Sequence, residues 1–342
     1  MNKKGLFLFP SIMAVCLSAC ATRIYEPKDY VLKMLYSDDF RILQLTDTHV
    51  GDKDNMKLHY DFMDLTIKDA NPDLIVITGD VFTFASKGTA KEFFNWLEGH
   101  NIPWTLTFGN HDEQCFFSID WLTGYLNGLN AKREKDGSSY CYFKDLQDDR
   151  IQGNSNFIID LMNADNTVFE QLVIMDSNRY NYNGYFGYDY FKQDQIDWYT
   201  AAVDGTIPSL MFYHIPLPEV RNAWAAAQED ETKIAKPTIH MYEGGDASKV
   251  AGQQNEDPCN PDYNSNFFDA IKKKGSTHGM YFGHDHINNY IVNYEGIDFG
   301  YGIKATDRVY ADDNLLGGRV ITLKNDHSLQ YDDYYHSYKE VK

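Results

Sequence analysis

Short apolar runs alternate along the chain with amphipathic stretches, and several of the runs stop at a polar residue. Phe40-Arg41-Ile42-Leu43-Gln44-Leu45 is the first, a run of strand length that halts before Asp47. Leu58, Phe62 and Leu65 then recur at helical spacing. After the breaker Asn71-Pro72, Leu74-Ile75-Val76-Ile77 predicts a second strand running into Gly79-Asp80. Thr89-Ala90-Lys91-Glu92 has the form of a capping box, opening a helix that buries Phe93 or Phe94 with Leu97. Trp104 to Phe108 predicts a third strand, ending at Gly109-Asn110-His111-Asp112. Strand and helix alternate, which is an α/β pattern.

Farther on, Asn156 to Asp160 and Leu172 to Met175 predict strands, and Gln193 to Val203 a helix. The tyrosine-rich stretch from Asn178 to Phe191 is either an irregular surface loop or an aromatic lip facing a substrate. Leu210-Met211-Phe212-Tyr213 predicts a strand ending at His214, and Met280-Tyr281-Phe282 another that runs into Gly283-His284-Asp285-His286. Arg221 to Pro261 is polar and charged and is expected as a long loop or helical insertion. Arg319-Val320-Ile321-Thr322-Leu323 is expected as an edge strand. No internal repeat stands out, so one domain over 37–342 is expected.

The N-terminus changes this picture. Lys3 and Lys4 precede an apolar run, Gly5 to Leu17, too short for the roughly 20 residues of a spanning helix. It has the form of a signal peptide over 1–19. Leu17-Ser18-Ala19-Cys20 resembles the bacterial lipobox, with Cys20 the lipidated first residue of the mature chain and 20–36 a tether. The competing reading is ordinary cleavage after an Ala19-Cys20-Ala21 pattern. Lipidation implies attachment to a membrane of the bacterial cell envelope, on the periplasmic side or the cell surface. Cys115, Cys141 and Cys259 remain in the folded part, enough for at most one disulfide, whose pairing stays open.

Composition narrows the class further. An apolar share of 43% over 342 residues permits a well-buried core. The net charge of -19 disfavours binding to nucleic acid. A phosphate-bearing substrate is compatible with that charge if bound cations dominate the site locally.

Five strand ends carry N or O donors: Asp47 with His49, Asp80, Asn110 with His111, His214, and His284 with His286. In open α/β sheets, ligands bind beyond the carboxyl ends of strands. Carboxylate, imidazole and amide oxygen suit divalent Mn, Fe or Zn. Two such ions roughly 3.5–4 Å apart can hold both the attacking and the leaving oxygen of a phosphoryl displacement. Asp80, midway in the set, is the natural bridge.

Asp47-x-His49, Gly79-Asp80, Gly109-Asn110-His111-Asp112, His214 after its strand, and Gly283-His284-x-His286 resemble the five-part signature of the calcineurin-like metallophosphoesterases. The resemblance spans about Phe40 to Leu323. Gln195-Ile196-Asp197-Trp198 and Gly317-Gly318-Arg319-Val320 are similar to the small purple-acid-phosphatase-like branch. It implies an α/β (α+β) fold, a four-layer α/β/β/α sandwich of two mixed β-sheets flanked by helices. It also implies that Asp47, His49 and His286 bind one ion, that Asn110, His214 and His284 bind a second, and that Asp80 bridges them. The implied nucleophile is a hydroxide activated by the two metals. His111 is implied as a non-ligating group that stabilises the transferring phosphoryl or protonates the leaving oxygen, with Asp112 orienting its imidazole. Purple acid phosphatases carry a tyrosine three residues after the bridging Asp. Here that position is Thr83, so a tyrosinate-bound ferric ion is not implied.

The expected activity is therefore metal-dependent hydrolysis of phosphate esters, monoesters before diesters, outside the cytoplasm. The alternative from another class is a surface lipoprotein that uses the scaffold for binding alone. His59, His100, His240, His278, His327 and His336 are expected to be ordinary hydrogen-bonded or solvated residues, and Asp285 to point away from the metals.

Overall fold

The computed structural model describes residues 26–53, 55–181 and 187–342. The expected signal peptide, Cys20 and the first part of the tether lie outside the described residues. No helix among the described residues is long and apolar enough to cross a membrane.

Strands Phe40–Leu45, Leu74–Thr78 and Trp104–Thr107 pair in parallel, joined by helices Met56–Ala70 and Lys87–Gly99. They form half of a six-stranded sheet that continues through Gly317–Leu323, Leu329–Tyr335 and Thr238–Met241. A seven-stranded sheet holds Val31–Leu35, Phe157–Met162, Val168–Ile174, Ser209–Phe212, Thr277–Phe282, Ile297–Tyr301 and Ile291–Tyr294, in that order.

The layers follow from the side-chain period of two. In the seven-stranded sheet, Ile159, Leu172, Ile174, Leu210, Phe212 and Tyr281 face the six-stranded sheet's core residues. Their neighbours Ile158, Val173, Met211, Met280 and Phe282 turn the other way, onto helices Gln193–Ala202, Glu219–Glu229 and Phe267–Lys274. The helices Met56–Ala70, Lys87–Gly99 and Ile119–Asp136 pack with the first cluster. The result is the expected mixed α/β arrangement of two large sheets flanked by helices.

Three expectations are corrected. Residues 27–35 are part of the fold, not tether: Pro27–Tyr30 is a short 3-10 turn, and Val31–Leu35 pairs in parallel with Phe157–Met162. Leu32 and Met34 point inward while Lys33 and Leu35 stay exposed, a two-residue signal too short to read as periodicity. Gly317–Leu323 is not an edge strand. It lies between Phe40–Leu45 and Leu329–Tyr335 and is buried throughout. The second helix starts earlier than its Thr89 box suggests, because Ser86 is the N-cap and accepts from the Thr89 N–H.

Arg319 ties the two sheets together. Its fully buried guanidinium donates to both oxygens of Asp333 in its own sheet, at 2.6 and 2.7 Å, and to the carbonyls of Tyr301 and Asn289 in or beside the other. Gln44 adds a second tie, donating to the Phe282 carbonyl at 3.1 Å. Breaking a buried pair from one side leaves an uncompensated charge. Arg319→Met should therefore destabilise by roughly 3–5 kcal/mol. The double variant Arg319→Met with Asp333→Leu should recover a large part of it in urea unfolding. Equal loss in single and double variants would contradict the charge argument.

Candidate metal centre

The carboxyl ends of strands Phe40–Leu45, Leu74–Thr78 and Trp104–Thr107 lie at one edge of their sheet, and Ser209–Phe212 and Thr277–Phe282 run parallel in the other. The segments that follow these five strands turn sharply to meet. Asp47, His49, Asp80 and His284 all have left-handed backbone, at φ 53, 45, 48 and 80°. Such conformations cost a non-glycine residue roughly 1–3 kcal/mol each and persist where the surroundings over-determine them. Glycine supplies the clearance. A Cβ on Gly79 would lie 2.6 Å from the His214 ring, and one on Gly109 would overlap the Asp80 carboxylate.

The donors converge. Ligand atoms of Asp47, His49, Asp80 and His286 lie within 4.8 Å of one another, and a second group of Asp80, His214 and His284 shares Asp80 with the first. His214 Nε2 is 3.2 Å from Asp80 Oδ2, and His286 Nε2 is 3.4 Å from Asp47 Oδ1. All of these residues are buried. Asn110, buried as well, follows Gly109 at the Asp80 carboxylate.

Neighbouring groups aim these atoms. His214 Nδ1 donates to the Thr78 carbonyl and His286 Nδ1 to the Tyr310 carbonyl, each at 2.8 Å, so Nε2 is the ring nitrogen turned toward the cluster. His49 Nδ1 meets the Thr83 hydroxyl at 2.8 Å, which gives the residue at the tyrosine position a steering role. Asn110 Nδ2 donates to the Tyr180 hydroxyl at 2.8 Å, turning its Oδ1 away. One oxygen of each carboxylate is likewise fixed. The Thr46 hydroxyl and the His284 N–H donate to Asp47 Oδ2, and the His111 N–H donates to Asp80 Oδ1.

The other atom of each group is left over. Asp47 Oδ1, Asn110 Oδ1, His214 Nε2 and His284 Nε2 are buried with no hydrogen-bond partner among the described residues. His49 Nε2 and His286 Nε2 lie 3.0 Å apart. Buried polar atoms are ordinarily paired, so a cluster of unpaired lone pairs and carboxylate oxygens fits bound cations. The donor set holds no sulfur, which fits borderline-to-hard divalent ions.

The charges agree. Burial pushes the Asp47 and Asp80 carboxyls up, but the surrounding imidazoles outweigh it and hold both well below the usual carboxylate range. Burial pulls on His214 too, yet Asp80 and Asp47 raise its pKa to about 10, while burial and the charge on His214 lower His284 to about 3. Lys304, which sequence reasoning missed, is fully buried and donates to the Asp47 carbonyl at 2.9 Å. Burial lowers its ammonium to about 8. Nothing around Lys304 in the sequence marks it, because its placement depends on a bridge to Thr46.

His111 stands at the rim, its side chain 25% exposed and its Nε2 4.0 Å from Asp80 Oδ2. Asp112 does not orient it, which corrects that expectation. The Asp112 carboxyl accepts the N–H groups of Phe82 and Gly109, both at 2.8 Å, and so pins two of the loops together. Burial and the Asp80 charge push it up to about 8. Gln114 Oε1 instead accepts from His111 Nδ1 at 2.8 Å.

The remaining expectations fall on either side. Tyr180 and Tyr188 bring the tyrosine-rich stretch to the centre as a lip, Tyr188 packing edge-on to the His284 ring at 4.2 Å. Asp285 points away, accepting from the Tyr301 hydroxyl and the Cys259 N–H. His278 and His327 hold Glu170, His59 meets Tyr338, and His240 meets Asp332. His100 lies 3.2 Å from Asp64, and His336 lies 3.4 Å from Glu340. Cys115, Cys141 and Cys259 are free thiols.

Residues 40–288 match the calcineurin-like phosphoesterase family. The chain is 25% identical over 335 residues to a probable inactive purple acid phosphatase 14 of Arabidopsis thaliana, covering 85% of this chain and 76% of that one. It is 26% identical over 290 residues to the phosphatase DCR2 of Saccharomyces cerevisiae, covering 74% of this chain and 45% of that one. Its fold is similar to that of a dimetal phosphatase from Danio rerio, with a TM-score of 0.52 at 13% identity, over 84% of this chain and 94% of that one. A match across strands, loops and the clustered Asp and His donors alike makes this chain a member of the calcineurin-like phosphoesterase family.

Proposed function

We propose that this chain hydrolyses phosphate esters, monoesters in preference, at a centre for two divalent ions of Mn, Fe or Zn. The observation that carries the reading is the set of buried donor atoms left without a protein partner, in two groups that share Asp80. Asp47, His49 and His286 would hold one ion and Asn110, His214 and His284 the other, with Asp80 between them. Bound there, the ions supply positive charge to the phosphoryl oxygens and lower the pKa of water.

The chain's own groups do the rest. Asp80 keeps the His111 N–H and Gly109 against the cluster, so the His111 loop sits where phosphorus would be attacked. Gln114 fixes the His111 ring, whose Nε2 faces the cluster and is placed to hand a proton to the departing ester oxygen. The bond from phosphorus to that oxygen breaks as the oxygen of water adds, and the proton of water passes to solvent. The names of the relatives favour monoesters, since two of them are called phosphatases. One of those is also called inactive; the complete donor set and His111 support turnover in this chain.

The N-terminal pattern supports export and lipid attachment at Cys20, so the site would work at a membrane surface of the cell envelope. Palmitate labelling of the full chain in a bacterial host should be lost in Cys20→Ser. Labelling that persists would overturn the anchor.

Chelation should abolish release of phosphate from an aryl phosphate and lower Tm, and Mn or Zn should restore both. His111→Ala should lose roughly 10²–10⁴-fold in kcat with metal content unchanged. Asp80→Asn should lose activity together with bound metal. Thr83→Val should weaken metal affinity by about 10–100-fold, the cost typical of removing a group that orients a ligand. Full activity in His111→Ala and Asp80→Asn would refute the assignment of roles.

A further inference from the structure

A groove of about 410 Å³ opens directly beside His49, with walls formed by Phe84, Phe116, Val309, Arg308 and Lys53. Its apolar members are strongly exposed: Phe84 by 59%, Phe116 by 69% and Val309 by 56%. Single exposed apolar residues need no explanation, but three gathered in one concave site mark a binding surface.

The backbone holds them there at a cost. Phe84 and Val309 sit in the left-handed region, at φ 51 and 68°. For a β-branched residue that is a rare conformation, and such strain concentrates at ligand sites. Hydrogen bonds tie the groove floor to its neighbours. Thr83 donates its N–H to the Val50 carbonyl and meets His49 through its hydroxyl, while the Phe116 N–H donates to the Ala85 carbonyl. Phe84 is thus built onto the loop that carries Asp80, and Phe116 is tied to that loop through Ala85. Lys53 and Arg308 put positive charge beside the apolar walls, and the one carboxylate of the lining, Asp52, is taken up by the Ser86 N–H and the Thr89 hydroxyl.

An apolar slot that begins at a metal-donor side chain and carries cations suits a molecule with an anionic head and an apolar body. We infer that the groove takes the apolar organic group of a phosphate ester whose phosphate occupies the centre. The inference rests on the phosphoesterase reading above and names the substrate class for that site.

Titration of n-alkylphosphonates from ethyl to octyl into the Mn-loaded full chain tests it without turnover. The Kd should fall by up to about fourfold per added methylene. In Phe116→Ser and Val309→Gly the dependence on length should flatten. Both positions are exposed, and glycine relieves the φ at Val309, so both variants should keep the wild-type Tm. A Kd independent of chain length in the wild type, or no phosphonate binding at all, would overturn the inference and leave the groove to another occupant, such as a second copy of the chain or a membrane surface. Length-dependent binding without release of phosphate from any ester would keep the groove and sink the phosphoesterase reading instead.

Discussion

Two carboxylates buried side by side with too few protein partners are the constraint from which this structure follows. Asp47 and Asp80 are each tied through one oxygen, and each presents the other to a ring of imidazoles. Burying ionised carboxylates is expensive unless positive charge meets them. The protein provides Lys304, and His214 and His286 turn ring nitrogens to Asp80 and Asp47 at 3.2 and 3.4 Å. His49, His284 and Asn110 add lone pairs instead of charge. The arrangement is a poor hydrophobic core and a good cation site.

The rest of the fold positions that cluster. Three strands of one sheet and two of the other end at this site, so donors separated by long stretches of chain meet over a short distance. Left-handed turns at Asp47, His49, Asp80 and His284 swing the side chains inward, and the two sheets hold them in register through Arg319 and Gln44. Strain at the loops is sustained by the core beneath, whose strands are buried on both faces. Continuing that strain into Phe84 and Val309 extends the site outward from the centre toward the organic part of an ester.

Much of this was legible in the sequence, for a physical reason. Asp47, Asp80, Asn110, His214 and His284 each follow an apolar run closely, so strand periodicity and donor chemistry coincide. Groups whose role depends on long-range packing left no such mark. Lys304 reaches Asp47 through a bridge to Thr46, and Gln114 meets His111 within a short 3-10 turn. Asp112 looked like a partner for the neighbouring imidazole, but two backbone N–H groups compete for it more effectively. Gly317–Leu323 was misplaced because only pairing order separates an edge from a centre, and Val31–Leu35 because its two inward residues are too few to read as periodicity.

The central claim is that these scattered side chains form one cation-binding centre. Anomalous scattering from a crystal of the Mn-loaded protein tests it most directly. The account requires one peak among Asp47, His49, Asp80 and His286 and another among Asp80, Asn110, His214 and His284. Ordered imidazoles with no anomalous density between them at full Mn loading would contradict it.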